Sequence, residues 1–331
     1  MKLVLAPMEG LIDAPMRDLL GRIGGYDYAV CEFIRVTEQR LPRRTLLRLC
    51  PELASNGHTA SGLAVIPQLL GSHPASMART ARQLAELGAA GIDLNFGCPS
   101  KTVNRKDGGA ILLREPERIH AIVAAVRQAV PADIPVSAKI RLGYEDTALA
   151  LDNAHAVVQG GAQGLTVHAR TKVDGYHAPA RWEWLARIRQ AVDLPIIANG
   201  DIRSVADYWR CREISGCEDI MIGRAAVGCP DLARQIRQSQ QGGEQGVMAW
   251  PVLAMLVVQM GDELKSAMLE RHLASRLKQW LVLLRQFYPE AQQCFERCRP
   301  LRLYGEMRPY LIQGSSEQLH PGLIRTGKGN S

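Results

Sequence analysis

Residues 91–102 read GIDLNFGCPSKT. An apolar run ends at Asn95, and a Gly97-Cys98-Pro99 turn follows it. Gly97 and Pro99 hold that turn open, so a thiol stands at the end of what reads as a buried strand. Free cysteine packs as a small hydrophobe, and one such turn is compatible with packing alone. The other reading is chemistry at the mouth of a barrel, and the rest of the chain decides between them.

Seven more runs of the same kind recur along the chain. They are LVLAPM (3–8), YAVCEF (28–33), AVIPQLL (64–70), PVSAKIRLG (135–143), GLTVHAR (164–170), PIIANGD (195–201) and DIMIGRA (219–225). Most are near-continuously apolar, as strands covered on both faces should be. Helical patterns fill the gaps. Ala75 to Leu87 places Met77, Ala81, Leu84, Ala85 and Leu87 at helical spacing, and Glu117 to Val130 does so with Ile119, Ile122, Val123, Val126 and Val130. Eight β-α repeats in about 230 residues predict an α/β fold, a (β/α)8 TIM barrel. A doubly wound open sheet is the competing architecture. It would normally show a glycine-rich turn after the first strand, and Ala6-Pro7-Met8-Glu9-Gly10 is no G-x-G-x-x-G; a Walker loop is also missing.

Past Ser239 the composition changes. Residues 240–246, QQGGEQG, read as a linker, and Trp250 to about Tyr310 is helical throughout with no strand signal. The expected organisation is therefore a TIM-barrel catalytic domain over 1–239, a small all-helical domain over 247–312, and a poorly ordered tail over 313–331.

With 47% hydrophobic and 22% charged residues, the composition is ordinary for a globular protein. No apolar run is long enough to cross a bilayer, and the apolar start of the chain breaks too early, at Pro7 and Glu9, for a signal peptide. The protein is expected to be soluble and cytoplasmic. Its eight cysteines are scattered without a Cys-x-x-Cys pair, which reads as reduced thiols rather than a disulfide framework or a zinc site. No metal is expected. The net charge of +7 favours an anionic partner. The excess is concentrated in two places: Arg35, Arg40, Arg43, Arg44 and Arg48, and then eight basic residues from Arg271 to Arg308 against Glu290, Glu296 and Glu306. Either cluster alone is an ordinary solvated surface; two in one chain point to nucleic acid. Within the second, Arg271, Lys278 and Arg285 recur every seven residues and are expected to form an exposed stripe. Leu273, Leu277, Trp280, Leu281 and Leu284 would face inward.

Active sites of such barrels gather at the C-terminal ends of the strands. Here those ends carry Met8 and Glu9, Glu32 and Arg35, Gln68, Asn95 and Cys98, Lys139 and Arg141, His168 and Arg170, Asn199 and Asp201, and Arg224. Any one is explained by a chain surfacing; eight together are not explained by packing. Lys139 is flanked by apolar residues, so it needs an anion or must lose its proton. An internal ion pair would satisfy it, and so would a bound anionic ligand. His168 alone could be a core histidine, but it stands one strand beyond Lys139. Asn199-Gly200-Asp201 and Gly223-Arg224 occupy the corner where these barrels hold phosphate on backbone N–H groups and an arginine.

LAPMEG (5–10), QLLG (68–71), LNFGCPSKTVNRKDGGAILL (94–113), KIRLG (139–143), TVHART (166–171), ANGDI (198–202) and MIGRA (221–225) together resemble the tRNA-dihydrouridine synthases. EFIRV (32–36), RLCPEL (48–53) and SRLKQWL (275–281) look like the bacterial dihydrouridine synthase C branch. The resemblance implies a bound flavin mononucleotide (FMN), NADPH as reductant, and a tRNA uridine reduced to 5,6-dihydrouridine, at position 16 of the D-loop for this branch. It implies that hydride reaches C6 of uracil while Cys98, the family's catalytic cysteine, gives a proton to C5. Carried over residue by residue, it implies a flavin site of Pro7, Met8, Glu9, Gln68, Lys139, His168, Asn199, Gly200, Asp201, Gly223 and Arg224. It places Asn95, Arg141 and Tyr176 towards the substrate. Arg35, Arg276, Lys278 and Arg299 are expected to hold the tRNA body, and the enzyme to act as a monomer.

Three other readings compete. A flavin enzyme acting on free pyrimidines, like a dihydroorotate dehydrogenase, suits the barrel, the phosphate corner and the lysine, but leaves the basic helical appendage without a purpose. A tRNA-binding protein without chemistry is opposed by the intact Cys98 and Lys139. A cysteine hydrolase lacks a histidine that pairs with Cys98.

Overall fold

A computed structural model describes residues 1–243 and 246–316. The chain divides into two compact units, one of residues 1–226 with 230–245, the other of Val227–Cys229 with the residues from 246 onward.

The first unit is a barrel of parallel strands: β1 Leu3–Leu5, β2 Tyr28–Val30, β3 Ile34–Arg35, β4 Ala64–Ile66, β5 Gln68–Leu70, β6 Ile92–Phe96, β7 Val136–Arg141, β8 Gly164–His168, β9 Ile196–Asn199 and β10 Asp219–Ile222. Their order is β3-β5-β6-β7-β8-β9-β10-β1-β2-β4. Ten pieces make eight staves, because two staves are interrupted. β4 and β5 are parted by Pro67, which has no N–H to give the ladder. β2 and β3 are the corresponding halves of the neighbouring stave, pairing with β4 and β5 respectively. Every stave thus has two neighbours and the sheet closes, leaving no edge. Most strands are shorter than the apolar runs that announce them, their last residues turning out into the mouth; β5 instead runs to the end of its own, at Leu70. Part of the interior is apolar: Val4, Ala6, Val30, Ile197 and Met221 form one buried cluster.

The register sets the height of each side chain. Asn95 pairs with Lys139 and Lys139 with Thr166, while Arg141 pairs with His168 and His168 with Asn199. One layer lower, Gln68 pairs with Asp93 and Asp93 with Ser137. Helices Pro74–Glu86 and Pro116–Ala129 cover the staves, burying Met77, Ala81 and Leu84 from the first and Ile119, Ile122, Val123 and Val126 from the second. Each starts on a proline, whose fixed φ and missing N–H cost nothing in the first turn.

The second unit holds four helices, Trp250–Leu264, Glu270–Leu284, Pro289–Cys298 and Tyr304–Ser316, and no strand among its described residues. Helix Glu270–Leu284 buries Leu273, Leu277, Trp280, Leu281 and Leu284 as its periodicity predicts. Val227–Cys229 fall in this unit although the sequence reading runs the barrel unbroken to 239. The Trp280 indole N–H donates to the Val227 carbonyl at 3.0 Å, which ties that short segment to the helices. The last helix reaches Ser316, beyond the expected end at 312; the remainder of the expected tail, 317–331, lies outside the described residues, as do 244 and 245 of the linker.

Candidate active site

A cavity of about 310 Å³ opens at the C-terminal mouth of the barrel. Each wall comes from a different stave end. Pro7, Met8 and Glu9 follow β1, and Asn95, Gly97 and Cys98 end β6. Lys139 and Arg141 come from β7, and His168, Arg170 and Tyr176 from β8 and its loop. Asn199, Gly200, Asp201 and Arg203 follow β9, with Gly223 and Arg224 after β10. Of the residues implied for the flavin and uracil pockets, all but Gln68 therefore meet in one cavity, Phe33 joining them.

Gln68 is fully buried beneath the cavity, spending its amide on Asp93 and Asn95. Arg35, expected to hold the tRNA body, is exposed outside the wall, 4.0 Å from the Glu9 carboxylate.

Of the eight cysteines, seven are buried and Cys98 alone is partly accessible. Its backbone is held on several sides. The Cys98 N–H donates to Asn95 Oδ1 at 2.9 Å, and its carbonyl accepts from Asn104 Nδ2 at 3.0 Å and from the Ala110 N–H at 3.1 Å. Burial pushes the thiol's pKa up, against a backbone N–H from Ser100 that pulls it down. The net rise keeps Cys98 protonated at neutral pH, which suits an acid rather than a nucleophile.

Lys139 sits half-buried at the cavity floor, its Nζ donating to Asn199 Oδ1 at 2.9 Å. Burial, then the Arg141 charge, pull its pKa down to about 7, and Asp93 only partly offsets them. It is a cation without an adequate anion. His168 is driven well below its usual pKa by burial and then by Arg141, Lys139, Arg170 and Arg224, so its ring is neutral. Its Nε2 lies 3.4 Å from Arg170 Nη1, a donor, and so accepts there.

At the β9–β10 corner, Gly200 has a φ of +117°, and a Cβ there would stand 3.0 Å from the His168 ring. Backbone is therefore bare at that wall. The sequence reading gives Asp201 to the phosphate, but its carboxylate is committed to Arg170, Arg203 and the Ala180 N–H, which hold it below the usual carboxylate range despite burial. What it can offer an anion is its N–H. The Arg224 guanidinium lies 4.2 Å above the Tyr176 ring, and the Arg141 guanidinium 5.5 Å from it. Arg141 also donates to the carbonyls of Gly97 and Thr171, at 2.9 and 3.0 Å, clamping the cysteine turn to the loop that carries Tyr176.

The wall bears Lys139, Arg141, Arg170, Arg203 and Arg224 against Glu9 and Asp201. That donor set, beside the apolar Pro7 and Met8 and the bare backbone of Gly200, fits a flat ligand with an electron-rich edge and a phosphate tail, as FMN has. Sequence reasoning misses Arg203; its signal is a second charged position in ANGDIR, immediately past the phosphate turn. It reads Arg170 at the mouth but gives it no part in binding.

In the helical unit, Arg299 is exposed and Arg276 half-buried. The expected stripe is only partly present. Arg271 and Arg285 are exposed, but Lys278 between them is half-buried and donates from Nζ to the Leu301 carbonyl at 2.9 Å. Seven-residue spacing fixes a helix face but not whether a neighbouring loop supplies an acceptor on it. Among the described residues no helix is long and apolar enough to cross a membrane.

Barrel, cationic cavity and single accessible thiol define a (β/α)8 protein whose mouth suits an anionic ligand beside a protonated thiol. The chain belongs to the dihydrouridine synthase family, whose model matches residues 4–299. Among its relatives, the tRNA-dihydrouridine(16) synthase of Pseudomonas syringae pv. tomato is 52% identical over 299 residues, 90% of this chain and 94% of that protein. That of Neisseria meningitidis serogroup A is 48% identical over 311 residues, 94% of this chain and 93% of its own length. Solved structures share the barrel at lower similarity. A 2-naphthoyl-CoA reductase complex has a TM-score of 0.53 at 13% identity over 73% of this chain and 50% of that one. Histamine dehydrogenase from Rhizobium sp. 4-9 has a TM-score of 0.54 at 13% identity over 78% and 48%. At that identity the likeness is one of fold.

Proposed function

We propose that this chain reduces a uridine in the tRNA D-loop, at position 16, to 5,6-dihydrouridine, with FMN bound in the barrel mouth and NADPH as reductant. The observation that carries the reading is the one accessible cysteine, protonated and facing a cavity floored by Lys139. When bound, the flavin supplies the hydride for C6 of uracil, having received it from NADPH.

The chain's own residues do the rest. Lys139, steadied by the Asn199 amide oxygen, presents a donor to the electron-rich edge of the ring, and Pro7 and Met8 pack its apolar body. Arg224, Arg203 and the N–H groups around Gly200 and Gly223 hold the phosphate. His168, neutral, contributes a ring wall rather than charge. Cys98 Sγ–H gives its proton to C5 as hydride arrives at C6, and the thiolate left behind regains a proton from solvent. The uracil must leave its stack to reach the thiol. Asn95 and Arg141 hold the turn against which it lies, and Tyr176 stands at the rim. Arg35 on the barrel, and Arg276, Lys278 and Arg299 on the helical unit, hold the tRNA body through its phosphates.

Cys98→Ala tests the assignment. The variant should keep its flavin, its tRNA binding and flavin reduction by NADPH in single turnover, while dihydrouridine formation at position 16, read by mass spectrometry of tRNA digests, is almost abolished. Uridine reduction at the wild-type rate would remove Cys98 from the chemistry.

A further inference from the structure

The carboxamide that holds the Cys98 turn is itself held by a chain of side chains beneath the cavity. Asn95 Oδ1 accepts from the Gly97 and Cys98 N–H groups, at 3.0 and 2.9 Å. Backbone N–H groups only donate, so that end of Asn95 must be oxygen. Its Nδ2 then faces Gln68 and donates to Oε1 at 2.7 Å. Gln68 Nε2 in turn donates to Asp93 Oδ2 at 2.6 Å, and Asp93 Oδ1 accepts from Ser137 Oγ at 2.6 Å. Gln68, Asp93 and Asn95 are all buried, so water is a poor substitute for a lost partner. Either amide could rotate half a turn with little change in shape. Only one sense satisfies the whole chain, because two N–H donors fix one end and Asp93 Oδ2, an acceptor towards Gln68, fixes the other.

We infer that Asp93 is a positioning residue for the proton donor: through Gln68 and Asn95 it fixes the sense of the hydrogen bonds that hold the Gly97-Cys98 turn at the cavity. Neither Asp93 nor Gln68 lines the cavity, but the Asp93 charge is felt at Lys139, so the test has to return that charge while it restores the hydrogen bonds. That Cys98 is the proton donor rests on the function proposed above; the relay of hydrogen bonds does not.

A swap of acid and amide isolates the relay. Gln68→Glu sets a second carboxyl against Asp93. The pair can keep the native sense only while it shares a proton, so the relay holds at low pH and opens as pH rises. Asp93→Asn with Gln68→Glu moves the carboxylate one position along. The new amide at position 93 would then donate to the new carboxylate at position 68 and still accept from Ser137. That carboxylate would in turn accept from Asn95. The native sense at the cysteine turn returns with the same charge.

The probe is iodoacetamide. Seven cysteines are buried, so alkylation of the native protein reports Cys98, with peptide mass spectrometry confirming the site. Rate against pH should follow the wild-type curve in the double variant. In Gln68→Glu it should depart at alkaline pH by about one pH unit, roughly tenfold in thiolate at a given pH. Uridine reduction should fall there by roughly 100-fold and return in the double variant, the scale of a reacting group displaced by an ångström. A Gln68→Glu curve that superimposes on wild type throughout, or a double variant displaced as far as the single one, overturns the inference. If Gln68→Glu does not fold, Asp93→Ala must show the displaced curve instead, and a wild-type curve there overturns it equally. Alkylation needs no tRNA, so a restored curve stands even if the wild-type protein reduces no uridine, and a failed one leaves the uridine reading intact.

Discussion

Two adjacent glycines next to the cysteine turn should respond very differently to the same small change. Gly109 has a φ of +70°, and a Cβ on it would lie 2.9 Å from the Cys98 carbonyl oxygen, 3.0 Å from Cys98 Cβ and 3.0 Å from Val103 Cγ1. The left-handed backbone costs an alanine about 1–2 kcal/mol. The contacts stand about half an ångström inside ordinary van der Waals separation, and overpacking of that kind costs about 1–3 kcal/mol. The Cys98 carbonyl cannot simply withdraw, since Asn104 Nδ2 and the Ala110 N–H both hold it. Gly109→Ala should therefore lose about 2–5 kcal/mol. In a unit of this size that is a fall in Tm of about 4–20 °C. The strain falls on Cys98, so iodoacetamide labelling and dihydrouridine formation should change as well. Gly108, in contrast, has a φ of −121°, and its nearest neighbour would be the flexible end of Leu70 at 3.3 Å. Gly108→Ala should stay within about 1 kcal/mol of wild type. Thermal unfolding of the two variants side by side is the assay. Equal Tm values, or a Gly109→Ala protein within about 1 °C of wild type, would refute the argument.

Arg224→Ala should weaken flavin retention by removing a charge-assisted contact to phosphate; flavin absorbance per mole of protein after gel filtration checks it, and unchanged content would relocate the phosphate. Lys139 has a folded pKa of about 7 against an ordinary 10.5, so between those values the unfolded chain binds the extra proton and the ligand-free fold gains stability as pH rises. A ligand edge that needs the ammonium must restore that proton. Flavin affinity should then fall by up to about tenfold per pH unit above about pH 7, and Lys139→Met should flatten the dependence in a calorimetric titration. Arg35→Ala and Arg299→Ala, both at exposed positions, should each weaken tRNA binding and reduce the slope of log affinity against log salt by about 0.7 to 0.9, with flavin content unchanged.

The barrel is legible in the sequence because its signal is local and repeated. Eight apolar runs separated by helical patterns need no knowledge of which strand meets which, and the closed order β10-β1-β2 follows once the first and last staves are known to be strands. The rim is largely legible for the same reason: in every run but the one at 64–70, a polar residue at the strand's end lines the mouth or stands beside it. Strand ends read from the sequence run too far, since Pro7, Gly97 and Gly200 lie in runs that leave the ladder before they stop being apolar. The break of two staves at 31–33 and at Pro67 escapes the reading, although the proline is in plain sight.

Depth within the barrel is not legible, and Gln68 shows why. As the polar residue of its run it is placed at the mouth with the others. Yet β5 continues two residues past it, and its register partner is Asp93 rather than Asn95, which puts it one layer down with Ser137. Register is a relation between strands far apart in sequence, so an alternating pattern on one strand cannot supply it. Asp93 illustrates the same loss from the other side. Taken alone, an acid between Ile92 and Leu94 is a buried charge that needs a partner, and Lys139 is a ready candidate. The structure gives its oxygens to Gln68 and Ser137 instead, leaving Lys139 at the cavity floor with only an amide oxygen to donate to. An internal ion pair would have raised the lysine's pKa and spent its charge. Because that pair is not made, the cation remains available to whatever enters the mouth.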